Sequence, residues 1–234
     1  PIQGVSSAAS DVYKRQKEGY MNRLGVFGGM GPLCTASFYE KLVKYTKANK
    51  DQDHIPTVIL SDTLMPDRTD SILNKVNEDM LLKKAKEDIR DLEKLGVTNI
   101  AIPCNTMHYY IKTLQNYTDI NIINMVYETI KYCKDNKYKN IAVLGTKATI
   151  ECGIYDIYAK DFGIDIYNLN DDQKELCMST IYNIKETNDT SAKEFLTLIE
   201  DIRKKGVDSI ILACTELSLI DSIMDYSYVI DAMD

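Results

Sequence analysis

No stretch of this 234-residue chain approaches the roughly 18–20 consecutive apolar residues needed to cross a bilayer. The best candidate, Ser209 to Ile220, is interrupted by Glu216. Basic residues are in deficit, 28 Lys+Arg against 35 Asp+Glu for a formal charge of −7. No basic cluster stands out, so a nucleic-acid surface, which needs Lys and Arg to neutralise phosphates, is excluded. Histidine is scarcer still: His54 and His108 are the only two, and no spaced Cys/His set completes a zinc site. The six cysteines contain no close CxxC pair, which reads as reduced thiols in a cytoplasmic protein. The amino terminus lacks both an initial Met and a 7–15-residue apolar stretch, so no secretory signal is recognised. What remains is 44% hydrophobic and 27% charged, enough for a substantial core and a solvated surface.

Residues 1–20 show no periodicity and read as a non-native leader, with Met21 as the native start. The other end stops at Asp234, just after a short buried strand, where a closing helix is expected. Between them, apolar strands alternate with helical stretches. Strands are expected at 24–27, 57–60, 99–102, 122–124, 141–144 and 209–212. Helices are expected at 35–47, 83–94, 126–134, 154–162, 173–185 and 192–204. That alternation implies parallel βαβ units and an α/β fold.

The pattern also repeats. Residues 24–28 match 141–145 at an offset of 117, and Gly96-Val97 with Ile100 and Cys104 match Gly206-Val207 with Ile210 and Cys214 at an offset of 110. Two similar, pseudo-symmetric halves are therefore expected, each a parallel sheet flanked by helices, with the active site in the cleft between them. The division would be 21–124 for the first domain, which would also receive 225–234, and 125–224 for the second.

Ligands of parallel sheets bind beyond the carboxyl ends of the strands. Each half places a cysteine there, Cys104 before Asn105-Thr106 and Cys214 before Thr215-Glu216. N–H groups of a following helix would favour the thiolate. Pseudo-symmetry would set the thiols on opposite sides of one cleft, suited to taking a proton from one face of a carbon and returning it to the other. Cys34, Cys133, Cys152 and Cys177 read instead as small buried hydrophobes. The competing reading of Cys104, His108 and Cys214 as metal ligands fails for want of further histidines, and no metal is expected. Gly28-Gly29-Met30-Gly31 is not a dinucleotide fingerprint and says only that backbone comes close to something. Arg68, after a strand end, is either a fork for a carboxylate or a surface side chain, and Lys185 is equally ambiguous.

Together these residues resemble the aspartate/glutamate racemase family, which racemises amino acids without pyridoxal phosphate. The matching motifs are Gly28-Gly29-Met30-Gly31-Pro32, Pro66-Asp67-Arg68, Pro103-Cys104-Asn105-Thr106-Met107-His108, Leu144-Gly145-Thr146 with Thr149, Ile181-Tyr182 with Lys185, and Cys214-Thr215-Glu216. They run from Met21 to Asp231 in the family's order. The resemblance implies a two-domain fold, no cofactor, a homodimer, and a small dicarboxylic amino acid as substrate. It implies Cys104 and Cys214 as the acid/base pair. Asn105, Thr106, Thr215 and Glu216 would line the amino and carboxylate groups, with Glu216 facing the ammonium. Arg68 and Lys185 would hold carboxylates, while Gly29, Met30, Gly31 and Thr146 would add N–H and hydroxyl contacts. Because both cysteines are present, the nearest likeness is to aspartate racemases. A broad aspartate/glutamate racemase and a non-catalytic amino-acid-binding protein are the alternatives. Three departures stand out: Cys34 and Ser37 where small residues such as Ala are usual, Leu217-Ser218-Leu219 in place of the common Glu-Leu-Pro-Leu form, and, most serious, no closing helix after the last expected strand.

Overall fold

The computed structural model describes residues 23–234, and the leader expected at 1–20 lies outside them. Four strands form the first sheet: β1 (Leu24–Gly28), β2 (Thr57–Ser61), β3 (Asn99–Ala101) and β4 (Asn121–Ile122), in the order β2-β1-β3-β4. The second holds β5 (Asn140–Gly145), β6 (Asp165–Ile166), β7 (Ser209–Ala213) and β8 (Val229–Asp231), in the order β6-β5-β7-β8. All six pairings are parallel, Val26 beside Ile59 and Ala101 in one sheet and Val143 beside Ile211 in the other. Strand for strand the two orders are the same, which is the duplication expected from the two offsets.

The helices are α1 (Pro32–Tyr45), α2 (Arg68–Leu73), α3 (Glu78–Lys94), α4 (Ile111–Gln115), α5 (Met125–Asp135), α6 (Lys147–Glu151), α7 (Asp156–Phe162), α8 (Asp171–Thr187) and α9 (Lys193–Lys204). Alternation along each strand decides which helix covers which face. Phe27 and Ile100 point to α3, which returns Leu81, Ala85, Ile89 and Leu92 at helical spacing. Leu24, Val26 and Ala101 point the other way, to Phe38 and Leu42 of α1. In the second sheet Ala142, Leu144, Ile210 and Leu212 pack on Ile181 and Ile184 of α8 and on Phe195, Ile199 and Ile202 of α9. Ile141, Val143 and Ile211 pack on Val126 and Ile130 of α5 and Ala159 of α7. Each such Leu, Ile, Val or Phe side chain, fully buried, contributes roughly 1.5–3 kcal/mol, so both halves have cores of their own. Among the described residues no helix is long and apolar enough to cross a membrane.

The last strand corrects one expectation. Residues 225–234 are expected in the first half, yet β8 pairs with β7, Val229 beside Ile210. The reason is the repeat itself: β8 occupies in the second sheet the edge position that β4 holds in the first. The end of the chain still reaches the other half, where Lys41 of α1 meets buried Asp231 at 2.5 Å and also binds Asp234.

Candidate active site

The loops after β1, β2, β3, β5 and β7 converge between the sheets. After β1 the chain turns through Gly29, whose φ is +88° and whose Cβ, were there one, would lie 2.5 Å from the backbone of Asp62. Only glycine fits there. Thr35 of α1 fixes the turn, accepting from the Gly29 N–H (2.9 Å) and donating to the Gly31 carbonyl (2.8 Å). Asp67 caps α2 by accepting the Asp70 N–H at 2.8 Å, which sets Arg68 as its first residue. Thr146 likewise caps α6 through the Thr149 N–H.

Of the residues singled out in the sequence, Met30, Arg68, Cys104, Asn105, Thr106, Thr146, Lys185, Cys214, Thr215 and Glu216 all line one cleft, joined by Asp67 and Thr69. Gly29 shapes the turn from behind, while Gly31 approaches Glu216, its notional Cβ 3.4 Å from Oε1. The cleft encloses only about 10 Å³ of free volume, barely room for one water.

The polar groups are arranged in three sets. Glu216, 3% exposed, accepts the S–H of Cys214 on Oε2 at 2.9 Å and the hydroxyl of Thr215 at 3.3 Å. Its Oε1 faces Lys185 Nζ at 3.6 Å. Burial first, then the Glu216 carboxylate, push the Cys214 thiol well above its ordinary range. This overturns, at Cys214, the expectation of a thiol made more acidic by an adjoining helix, since the chain beyond Glu216 forms only a short 3-10 turn, Leu217–Leu219. Burial works to lower Lys185, but Glu216 and the nearby thiols outweigh it and raise the ammonium's pKa.

In the second set, the hydroxyls of Thr106, Thr146 and Thr149 form a triangle with sides of 3.0, 3.2 and 3.0 Å, joining the first half to the second. In the third, Tyr155 donates to Asn105 Oδ1 at 2.5 Å. Arg68 Nη1 donates to the carbonyls of Pro66 (3.0 Å) and Met65 (3.4 Å). Among the described residues neither Arg68 Nε nor Asn105 Nδ2, both buried, finds a hydrogen-bond partner. These are two donors held ready for an acceptor in the cleft.

His108 does not turn toward the thiols. The Met125 N–H donates to its Nε2 (3.3 Å), so Nδ1 carries the proton and donates to the Cys104 carbonyl (2.9 Å). Both ring nitrogens are thus spent on backbone, and the Cys104–His108–Cys214 ligand set does not form.

Cys133 and Cys177 are buried thiols pushed up to about 12 by desolvation, as expected of small hydrophobes. Cys152 is partly exposed, its thiol also raised by burial. Cys34 is buried and raised to about 12 by desolvation and then by Glu216. It therefore stands directly behind the cleft, a position that its helical spacing gave no means of foreseeing. Tyr155 escapes sequence reasoning too, since nothing local distinguishes a buried tyrosine that crosses between halves. Asp67 and Thr69 flank Arg68, and only the folded loop shows that they share its cleft.

Two parallel sheets of one strand order meet around a cleft lined by thiols, hydroxyls and cations, which makes this a two-halved α/β protein with its candidate site between the sheets. The chain belongs to the Asp/Glu/hydantoin racemase family, which matches residues 27–234. It is 32% identical over 216 residues to the broad specificity amino-acid racemase RacX of Bacillus subtilis, covering 89% of this chain and 92% of that one. The Picrophilus torridus aspartate racemase superposes with a TM-score of 0.80 at 31% identity, covering 91% of this chain and 89% of the other. A glutamate racemase from Francisella tularensis solved with D-glutamate shares the fold, with a TM-score of 0.65 at 22% identity over 91% of this chain and 76% of that one.

Proposed function

We propose that the protein interconverts L- and D-aspartate by two-base transfer of the α-proton, without a cofactor. The observation that carries this reading is that Cys104 and Cys214, from equivalent positions of the two halves, line one cleft together with Arg68 and Lys185. One thiolate removes the α-proton from one face while the opposite thiol delivers a proton to the other, and the two exchange protonation states with each turnover. The α-proton of an amino acid is far less acidic than a thiol, so the cleft must stabilise charge building up on the α-carboxylate. Lys185 and the Asn105 Nδ2 donor supply it, and Arg68 takes the side-chain carboxylate. Thr106, Thr146 and Thr215 add hydroxyls, Met30 closes the wall, and Glu216 Oε1 is placed to receive the ammonium group. Two cations suit a dicarboxylate.

A broader choice of amino acids is the second reading, favoured by the 32% identity to a relative named for broad specificity. A cytoplasmic location and a homodimeric assembly accompany both readings. The test is α-proton exchange in D2O with L-aspartate and L-glutamate, for the native protein and for Cys104→Ala and Cys214→Ala. Exchange with aspartate in the native protein, and loss of racemisation in each variant, are expected. If neither amino acid exchanges, the racemase reading fails; if a single variant racemises at the native rate, the two-thiol mechanism fails.

A further inference from the structure

Two thiols that alternate between acid and base need something to decide which begins as which. The structure is not symmetric on this point. Cys214 has a buried carboxylate for a partner, Glu216 Oε2 at 2.9 Å, whereas the residue two positions beyond Cys104 is the neutral Thr106, whose hydroxyl is bonded to Thr146 and Thr149. A thiolate cannot donate, and a thiolate beside Oε2 would place two negative charges in contact at a buried site.

We propose that Glu216 is the proton-holding partner of Cys214, so that the resting enzyme carries Cys214 as the thiol and leaves Cys104 to remove the α-proton first. This rests on the two-thiol reading above and adds its starting state. The cycle balances. The Cα–H bond breaks as Cys104 S–H forms; Cys214 S–H breaks as the new Cα–H forms on the opposite face. The enzyme left behind has Cys214 as thiolate next to Glu216, the disfavoured form. It resets when Cys104 releases a proton to water and Cys214 takes one up.

Other charges face the pair and must be weighed. Lys185 of α8 is the nearest cation and alone would favour the Cys214 thiolate. Its ammonium, however, lies 3.6 Å from Glu216 Oε1, so its field is largely spent on the carboxylate. From α1, Cys34 is a neighbouring thiol whose own ionisation is strongly disfavoured by burial. Arg68 of α2 stands beyond Lys185 and acts on it as a like charge. Burial and Glu216 therefore prevail over Lys185 at Cys214, in keeping with the upward shift of that thiol.

The test needs no turnover, so it fails independently of the racemase reading. The native protein and Glu216→Gln are treated with iodoacetamide from pH 6 to pH 10 without substrate. Alkylation at Cys104, Cys214 and Cys34 is followed separately by peptide mass spectrometry. In the native protein Cys104 is expected to react well ahead of Cys214 at pH 7.5. In Glu216→Gln the Cys214 profile is expected to move to lower pH by about one unit, raising its rate near pH 7.5 about ten-fold, while Cys104 stays within about two-fold. The proposal is overturned if Cys214 reacts as fast as Cys104 in the native protein. It is also overturned if Glu216→Gln leaves the Cys214 profile in place, or raises its rate equally at every pH, which is the mark of a loosened cleft. Absence of α-proton exchange with either amino acid would sink the two-thiol reading while leaving the alkylation profiles interpretable.

Discussion

Tyr155, 1% exposed, donates its phenolic proton to Asn105 Oδ1 at 2.5 Å, so a side chain of the second half orients an amide of the first beside Cys104. The bond fixes which end of the amide faces the cleft, leaving Nδ2 as the free donor. Tyr155→Phe keeps the ring and removes the hook. It strands a buried acceptor, with a loss on the order of 1–3 kcal/mol, and lets the amide turn over. A lower Tm together with a fall of about ten-fold in kcat/KM for aspartate is expected. A variant that loses stability but keeps native kcat/KM would show that Asn105 takes its orientation from elsewhere.

His108 does for the Cys104 backbone what Tyr155 does for Asn105. Its neutral ring joins the Cys104 carbonyl to the Met125 N–H, where the chain crosses toward the second sheet. Burial first lowers the pKa of this ring, opposed by its backbone hydrogen bonds. The folded protein thus resists a proton that the unfolded chain accepts near pH 6.5. Stability is therefore present above that value and falls as the pH drops below it. Urea unfolding should show this decline in the native protein. In His108→Gln it should be weaker, against a background loss on the order of 1–3 kcal/mol at pH 7.5 from the broken bonds. Parallel declines in both proteins would assign the acid sensitivity to other groups.

Much of this is legible in the chain because it is local or repeated. The two offsets imply matching strand orders, and the strand ends put Cys104 and Cys214 each at the carboxyl edge of its own sheet, where ligands of parallel sheets bind. Arg68 and Lys185 are visible as residues but not as cleft residues, for their exposure depends on how the loop after β2 and helix α8 fold back. β6, with two residues, and helix α2, with six, are too short for periodicity to register. The Cys214–Glu216 bond spans two residues, yet nothing in a sequence distinguishes a glutamate that turns inward from one that turns to solvent. The position of β8 is contained in the repeat although the expected domain division misses it. Ile122 follows Ile100 much as Val229 follows Ile210, and carrying the duplication to the end of the chain places β8 at the edge of the second sheet.

Asp88 of α3 faces Asp62 just beyond the end of β2, and Lys84 binds Asp62 at 2.7 Å. Burial first, then Asp62, push the Asp88 carboxyl up to about 6. A raised folded-state value means that between about pH 4 and pH 6 the native protein holds a proton that the unfolded chain has released. Stability from this group therefore falls as the pH rises through that window. Asp88→Asn removes the burden. It should stabilise the protein at pH 8 by on the order of 1 kcal/mol, discounted for partial exposure, with the gain vanishing near pH 4. Denaturant midpoints at the two pH values decide the matter, and a less stable Asp88→Asn at pH 8 would refute it.

Arg68 and Lys185 are both cations of the cleft, but they need not do the same work. Lys185 sits 3.6 Å from Glu216 Oε1, which is also the oxygen proposed for the ammonium, and the ammonium and α-carboxylate share one carbon. Lys185 therefore belongs with the α-carboxylate, where charge grows during proton removal, and Arg68 with the side-chain carboxylate, where charge does not change. An interaction equal in ground and transition states shows in KM, while one that grows in the transition state shows in kcat. Arg68→Lys keeps the charge but loses the fork and the bonds to the Met65 and Pro66 carbonyls. It should raise KM for aspartate about ten-fold or more with a smaller change in kcat. Lys185→Gln should instead lower kcat by at least as large a factor. The opposite split would exchange the two carboxylates and turn the substrate end for end in the cleft.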